Sequence, residues 1–527
     1  MDIYEMYSLA LEQHKEKNYD AALTILDEIK RIAPDYKKAY MLESLIWKNL
    51  CKPLKEFATL KILLEKFDVS SPEEKFYIAH VLNRLGNIAI DVGQHAQGIE
   101  NFRLAAKFTE KELKGDSEVD SEVILSFAIF EANTVENFSA ADFQELYDEY
   151  KKTLADVVPY PKKFYAHKKI RVGFMSANFY RCSLINWSLA LLTQLNKNFF
   201  ETYFYSNKNI NDDITARLRS TADGWRDIFD LTNEQAAKLI RDDEIDILFD
   251  LNGYTAGGRL HAAAYRPASV QMSGIGYMNS TGLDCFDYFL SDVHCAGDEN
   301  FFTEKVIKLP HSHICYKLLA TTEPAKIPPC IKNNFVTFGS FNQFHKMTDS
   351  ILLTWKKILD AVPGSRLLLK TYKLDTDAGK NFVEERLKNF GFNLARVELR
   401  PYSTNHFAEY DDMDIALDTF PYTGGVTTCD ALYMGVPVVS LYGARHGTRF
   451  GLSILKNVGL DELAVDSYDE YINRAVMLAN DWELLALLRK NLRTMMKKSP
   501  LMDSENYVRE MEKVFLKIVA DARKQSA

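Results

Sequence analysis

The stretch Asp414–Gly443, DIALDTFPYTGGVTTCDALYMGVPVVSLYG, decides how the chain is read. Ile415, Ala416 and Leu417 form a short apolar run that predicts a buried strand, and Pro421, Gly424 and Gly425 break it. Thr427 and Thr428 then offer hydroxyl caps to a helix over Cys429–Met434, which Gly435 and Pro437 stop before a second strand at Val438–Leu441. A strand, a glycine turn and a helix start present unpaired backbone N–H groups to an anion. Adjacent glycines admit a phosphate close to the main chain, and the helix dipole favours its charge. The stretch also reads as an ordinary βα turn of an α/β domain, so its surroundings must separate the two.

Upstream, strand-like runs occur at Ile170–Met175, Thr202–Tyr205, Ile245–Leu251, Val270–Ile275 and Tyr288–Leu290, with helical stretches such as Leu184–Leu195 and Glu234–Arg241 between them. After the Pro328-Pro329 linker a second series begins: Phe335–Phe341, Arg366–Lys370, Val397–Arg400, Asp414–Asp418 and Pro437–Leu441. Strands alternating with helices imply parallel sheets covered on both faces. Two series of similar size predict two Rossmann-like lobes facing across a cleft, with a helical tail from Ser467 packed onto them. In such sheets ligands sit at the carboxyl ends of strands, where the glycine loop lies.

The amino-terminal part is all helical, with a faint repeat. Ala10, Ala22 and Pro34 stand 12 and 12 residues apart, where a tetratricopeptide helix pair wants small residues and a closing proline. Leu85-Gly86, Gly98, Phe102 and Ala105 repeat those offsets, while a middle unit from Lys38 to Asp68 keeps only the length. Stacked pairs make a concave surface suited to a peptide. A plain helical bundle is the alternative. From Asp116 to Pro161 the chain reads as an acidic helical linker, with Pro159 and Pro161 at its boundary.

Composition sets outer limits. A chain of 527 residues suggests about three domains. Hydrophobic content of 47% and charged content of 26% are those of a globular protein, and a net charge of -9 gives nucleic-acid binding no support. The opening MDIYEMYSLALEQHKEKNYD carries early acids and is unlike a signal peptide, and no stretch reaches the ~20 apolar residues of a membrane span. The seven cysteines are scattered without a CxxC pair, which favours a reducing cytoplasm and thiols used as core residues over a disulfide framework or a zinc site.

Other residues of the second lobe fall at strand ends. Gln343 and Lys346 follow the Phe335–Phe341 strand, where a lysine can neutralise a diphosphate or simply be solvated. His406 follows Val397–Arg400 and is placed to begin a helix, or to be a surface histidine. Asp430 lies one turn into the loop's helix, within reach of a ribose hydroxyl or serving as a cap. The DDMD run at Asp411–Asp414 abuts a strand and reads as its solvated approach, not a metal site. Three strand ends bearing anion- and sugar-compatible groups favour a nucleotide ligand.

The chain resembles the O-GlcNAc transferase family, the bacterial members especially. The likeness rests on IRVGFMSANF (170–179), DILFDLNGYTAGGRLHAAAYRPASVQMSGIGYMNSTG (246–282), FGSFNQFHKM (338–347) and ALDTFPYTGGVTTCDALYMGVPVV (416–439). It implies tetratricopeptide-like repeats over 1–115, a helical linker over 116–165, an acceptor-side lobe over 166–330, a nucleotide-sugar lobe over 331–485 and closing helices over 486–527, with the lobes in the arrangement called GT-B. It further implies a cytoplasmic inverting enzyme that needs no metal or other cofactor. Such an enzyme moves a sugar, typically from UDP-GlcNAc, to serine or threonine hydroxyls of a protein held along the repeat groove. By that likeness Gln343 and the catalytic Lys346 hold the diphosphate and His406 contacts the uracil. Gly424, Gly425 and Thr427 form the phosphate loop, Asp430 binds the ribose, and Ile275-Gly276 face the sugar. GDP-fucose enzymes occur among close relatives, so the sugar and base stay open.

The departures fall on the acid–base side. Asn178 and Cys182 stand where the family carries an aspartate and a histidine, no histidine occurs between His95 and His167, and Gly425 replaces a histidine of the animal enzymes. Ser8, Leu42 and Arg84 replace the asparagines that line the animal repeat groove. Asp250, Asp292 and His261 are candidate replacement bases, as are a donor phosphate or a water chain. Loss of a general base slows a reaction by about 10²–10⁴-fold without abolishing it. A catalytically weak member acting as a peptide-binding scaffold or partner subunit is the alternative; a sugar-nucleotide enzyme acting on small molecules leaves the repeats unexplained.

Overall fold

The computed structural model describes residues 1–109, 120–318 and 322–526. The described residues fall into two compact units, one holding Met1–Val135 with Lys373–Arg386, the other Glu136–Tyr372 and the chain from Leu387 onward.

The first unit is helical: α1 (Ile3–Lys15), α2 (Tyr19–Ile32), α3 (Lys37–Asn49), α4 (Pro53–Glu65), α5 (Pro72–Asp91), α6 (His95–Lys107) and α7 (Ser121–Glu131). Asp2 and Glu5 close a capping box on α1. Ala22, Leu26 and Ile29 form a buried stripe on α2 that packs with Ala10 and with Ala39, Leu42 and Ile46 of α3. The small residues of the repeat act as expected. A Cβ on Gly86 of α5 would lie 2.5 Å from the Phe102 ring of α6, so that pair packs at backbone contact. The middle pair α3–α4, faint in sequence, is as regular as its neighbours because Leu60 and Leu63 supply its core. Leu42 lies in the core, and Arg84 is engaged by Glu56 (2.5 Å) and Ser44 (3.1 Å). Helix α7, expected in the linker, packs with α6 instead, and the expected boundary between 115 and 116 lies outside the described residues.

The second unit opens with α8 (Ala140–Lys151) and a short turn at Lys152–Leu154. Helix then stops, earlier than the expected linker, because the run through Pro159 and Pro161 cannot continue it. Among the described residues the first lobe has seven parallel strands: β1 (Ile170–Ser176), β2 (Phe200–Ser206), β3 (Gly224–Asp227), β4 (Ile247–Asp250), β5 (Val270–Gly274), β6 (Tyr288–Asp292) and β7 (Lys305–Leu309), in the order β3-β2-β1-β4-β5-β6-β7. The second has six: β8 (Thr337–Ser340), β9 (Arg366–Lys370), β10 (Val397–Arg400), β11 (Ile415–Leu417), β12 (Val438–Leu441) and β13 (Ala464–Val465), in the order β10-β9-β8-β11-β12-β13. This is the Rossmann order in both lobes, so the fold is an all-α part followed by two Rossmann-like lobes of the GT-B kind. Central strands such as β4, buried along its whole length, are the continuous apolar runs that sequence reveals best.

Edge strands β3, β7 and β13 were not anticipated; GWRD and KVIKL are half exposed and carry charges, and β13 is two residues long. The strand expected to reach Ile275 ends at Gly274, because Ile275 turns into the left-handed region at φ 64°. Pro329–Asn333, at the expected linker, forms a short helix. The tail is helical: Tyr468–Asn480, Trp482–Lys498 and Ser504–Ser526. The boundary expected at 485/486 therefore falls inside a helix, since Leu485 and Leu488 continue one buried stripe. Phe515 of the last helix is fully buried against Phe200 and Phe249 of the first lobe.

Candidate active site

Strands β8 and β11 are adjacent and parallel, and the chain leaves them toward opposite edges of the sheet, so the crevice at their carboxyl ends is the topological switch point. Asp418 follows β11 directly. Its buried carboxylate accepts the N–H groups of Thr419 (2.9 Å) and Gly424 (2.6 Å) through Oδ1 and the Ser440 hydroxyl of β12 (2.6 Å) through Oδ2. Those bonds close residues 418–424 into a turn, while the Tyr471 hydroxyl holds the Asp418 carbonyl at 2.8 Å. Burial pushes the Asp418 carboxyl up to about 6, against the pull of these donors and of the Lys346 charge.

The helix after the turn spans Val426–Tyr433, three residues earlier than expected, with Gly425 as N-cap and no side-chain cap. Thr427 and Thr428 are thus inside the first turn instead of capping it. Thr427 Oγ1 donates to Asn342 Oδ1 at 3.1 Å, and Thr428 is buried. Glycine suffices because there is no room for more: a Cβ at Gly425 would stand 2.1 Å from Trp187 of the first-lobe helix Ile185–Gln194, and one at Gly424 2.7 Å from Thr427 Oγ1. The main chain is thereby left open at a helix N-terminus.

Across this turn stands the loop after β8. Gln343 is exposed, and Lys346 closes a short 3-10 turn over Phe344–Lys346. Lys346 Nζ lies 3.4 Å from the centroid of the Tyr422 ring. Thr348 Oγ1 donates to the Phe420 carbonyl at 3.0 Å, which ties the two loops together. His406 begins no helix; it lies in a turn ahead of the 3-10 segment Ala408–Asp412, with its ring 5.8 Å from Phe341 and 5.3 Å from Tyr410. Its Nε2 is 3.4 Å from Asp430 Oδ2, and the Tyr316 hydroxyl donates to Asp430 Oδ1 at 2.5 Å. So Gln343, Lys346, Gly424, Gly425 and Thr427 gather at the β8 and β11 ends, and His406 joins Asp430 beside them. Ile275 and Gly276 stand on the first lobe, at the β5 end. Ile275 is a β-branched residue at positive φ, a conformation that costs on the order of 1–3 kcal/mol, and a Cβ on Gly276 would meet the Leu251 carbonyl at 1.8 Å.

Sequence reading missed Asp418, Asn342, Tyr422, Tyr316 and Trp187. Asp418 carried a signal, an acid directly after a strand and ahead of a glycine turn; the partners from distant segments carried none. The acid–base side differs most from expectation. Asp250 is fully buried and accepts from the Gly253 N–H (2.6 Å) and Ser273 Oγ (3.3 Å); burial pushes its carboxyl up to about 6 against the pull of these donors. Asp292 is fully buried too, bonded to the His313 ring (2.6 Å), to the Cys295 N–H (2.8 Å) and to Ser453 Oγ of the second lobe (2.9 Å), and held down at about 2 against its burial. His261 Nε2 pairs with the Thr153 carbonyl at 3.1 Å. All three candidate bases thus have structural bonds. Cys182 Sγ lies 3.6 Å from the Asn178 carbonyl, and burial raises its thiol above the usual range.

Among the described residues no helix is long and apolar enough to cross a membrane. The profile of glycosyl transferase family 41 matches residues 150–317 and 317–511. A relative from Solanum lycopersicum, named "Probable UDP-N-acetylglucosamine--peptide N-acetylglucosaminyltransferase SPINDLY", is 36% identical over 382 residues, which are 71% of this chain and 40% of the relative. A relative from Caenorhabditis elegans, "UDP-N-acetylglucosamine--peptide N-acetylglucosaminyltransferase", is 22% identical over 466 residues, 66% of this chain and 40% of that one. The chain thus spans about two fifths of the length of these curated relatives. A mutant of the O-GlcNAc transferase of Thermobaculum terrenum superposes with a TM-score of 0.80 at 28% identity, over 100% of this chain and 98% of that one. With both lobes matched by the profile and the whole chain by that structure, the protein is a member of glycosyl transferase family 41.

Proposed function

We propose that the chain is an inverting glycosyltransferase that moves a sugar, GlcNAc in our reading, from a UDP-sugar to serine or threonine hydroxyls of a protein in the cytoplasm, without a metal. The observation that carries this is the open helix N-terminus at Gly424–Thr427, at the switch point and opposite Lys346. Displacing a nucleotide from a sugar carbon builds negative charge on the leaving diphosphate. The helix N–H groups and Lys346 stabilise that charge in this reading, with Gln343 on the outer phosphate. The uracil rests at His406. The ribose meets Asp430 at Oδ2, since Oδ1 is bonded to Tyr316. Ile275-Gly276 bound the sugar, and the acceptor peptide follows the helical pairs. With Asp250, Asp292 and His261 bonded elsewhere, the acceptor's proton passes to a phosphate oxygen of the donor. The names of the relatives and of the bacterial structure support the substrate class.

Calorimetry with UDP in chelator-treated buffer, followed by mass spectrometry of candidate acceptors incubated with UDP-GlcNAc, tests the reading. Binding of UDP and a mass gain of one sugar are expected. No heat at saturating UDP removes the donor assignment; binding without hydrolysis or transfer across acceptors makes the chain a scaffold.

A further inference from the structure

Three buried ligand-type side chains outside the site converge where the two lobes meet. Cys295 follows β6, His313 follows β7 and His446 follows β12, and one ligand atom from each lies within 4.8 Å of the others. All three are buried, Cys295 and His446 completely. Each ring has one nitrogen held: His313 Nδ1 pairs with Asp292 Oδ2 at 2.6 Å, and His446 Nδ1 with the Met278 carbonyl at 3.2 Å. The other nitrogen of each, Nε2, has no hydrogen-bond partner among the described residues. The His446 ring is flanked by the apolar rings of Phe289, Phe302 and Phe450, with centroids 5.1, 6.0 and 5.2 Å away. Leaving two buried imidazole nitrogens without partners is costly, and a cation ligated by both would remove that cost.

We propose that Cys295, His313 and His446 form a structural site for a zinc-class divalent cation that fastens the first lobe to the second. A thiolate and two imidazoles are a donor set that zinc accepts, and histidines oriented by a carboxylate and a carbonyl are the usual outer shell of such a site. Bonds of about 2.0 Å to nitrogen and 2.3 Å to sulfur require the three atoms to draw in by roughly an ångström from their widest separation. Asp292 serves as the hub, holding the Cys295 backbone, the His313 ring and Ser453 together. Binding releases the Cys295 proton to solvent, so occupancy falls as pH falls. The site is independent of the proposed transfer reaction.

The test is elemental analysis of the full chain grown with zinc and dialysed, together with the absorption spectrum of the cobalt-exchanged protein. About one ion per chain is expected, with a thiolate-to-cobalt charge-transfer band. Cys295→Ser should cut the stoichiometry at least about tenfold and remove the band, while Cys51→Ser, at an exposed thiol, should change neither. Wild-type protein with under about a tenth of an ion per chain, and no rise in Tm on adding zinc, overturns the proposal. So does a cobalt spectrum without the thiolate band, a result that stands even if Cys295→Ser fails to fold.

Discussion

Lys346 and Asp418 follow the neighbouring strands β8 and β11, and the charge of the lysine bears on the carboxyl. Lys346 rests on the Tyr422 ring and bears on the buried Asp418 carboxylate. In the proposed reaction its ammonium meets the leaving diphosphate, so Lys346→Ala should lower turnover by 10²-fold or more, on the order of 3 kcal/mol. A near-wild-type rate would take Lys346 out of the mechanism. Asp418 predicts a pH effect. Its folded-state value of about 6, against 3.8 when unperturbed, means the folded chain holds that proton more tightly than the unfolded one. The contribution is full below pH ~4 and is lost as pH rises through about 6, roughly 3 kcal/mol in all. Asp418→Asn keeps the Oδ1 acceptor for Thr419 and Gly424, and the Ser440 hydroxyl can turn to accept from the new amide. Relative to wild type, this variant should therefore gain stability between pH 4.5 and 8, as read by urea titration; a flat difference would place Asp418 among ordinary carboxylates. At the altered corner, the raised Cys182 thiol is a poor proton acceptor. Cys182→Ala should retain most transfer activity, and abolished turnover with intact UDP binding would make the thiol catalytic.

The helix after the glycine turn shows how one element depends on a neighbour far away in sequence. Its start at Val426 instead of Cys429 follows from Gly425, which needs no capping hydroxyl because the backbone itself turns there under the Trp187 ring. Gly425→Ala should push that ring away, misplace the helix N-terminus and weaken UDP binding by at least about 1–3 kcal/mol, the usual cost of overpacking. Trp187→Ala in the same chain should restore part of the loss in calorimetry; if Gly425→Ala binds UDP as wild type does, the close contact is not what fixes the turn. This element also marks what sequence discloses. The buried central strands β4, β8 and β11, the glycine turn and the residues following each strand were legible because period and breakers are local. The Asp418 hub, the Tyr316–Asp430 bond and the Trp187 contact join residues 22, 114 and more than 200 positions apart, and nothing local encodes them. Edge strands β3 and β7 were illegible for a different reason, being half exposed and without a continuous apolar run, and β13 because it is two residues long.

At the scale of the two lobes, the chain is held by buried bonds that run from one to the other. Asp292 of β6 accepts from Ser453, the Met278 carbonyl pairs with His446, and Tyr316 reaches Asp430. The last helix, Ser504–Ser526, then returns to the first lobe, where Phe515 packs on Phe200 and Phe249, while its Tyr507 hydroxyl donates to the His313 carbonyl at 3.0 Å. A buried polar bond left without its partner is costly, so neither lobe can open at these points without exposing groups of the other. The lobes should therefore unfold as one cooperative body. Phe515→Ala removes a fully buried ring and should cost about 3–5 kcal/mol. Although the cavity lies in the first lobe, hydrogen exchange should rise together in peptides covering β1 and β2 and in those covering β8 and β11. Faster exchange confined to the first-lobe peptides would show that the bonds between the lobes carry no cooperativity.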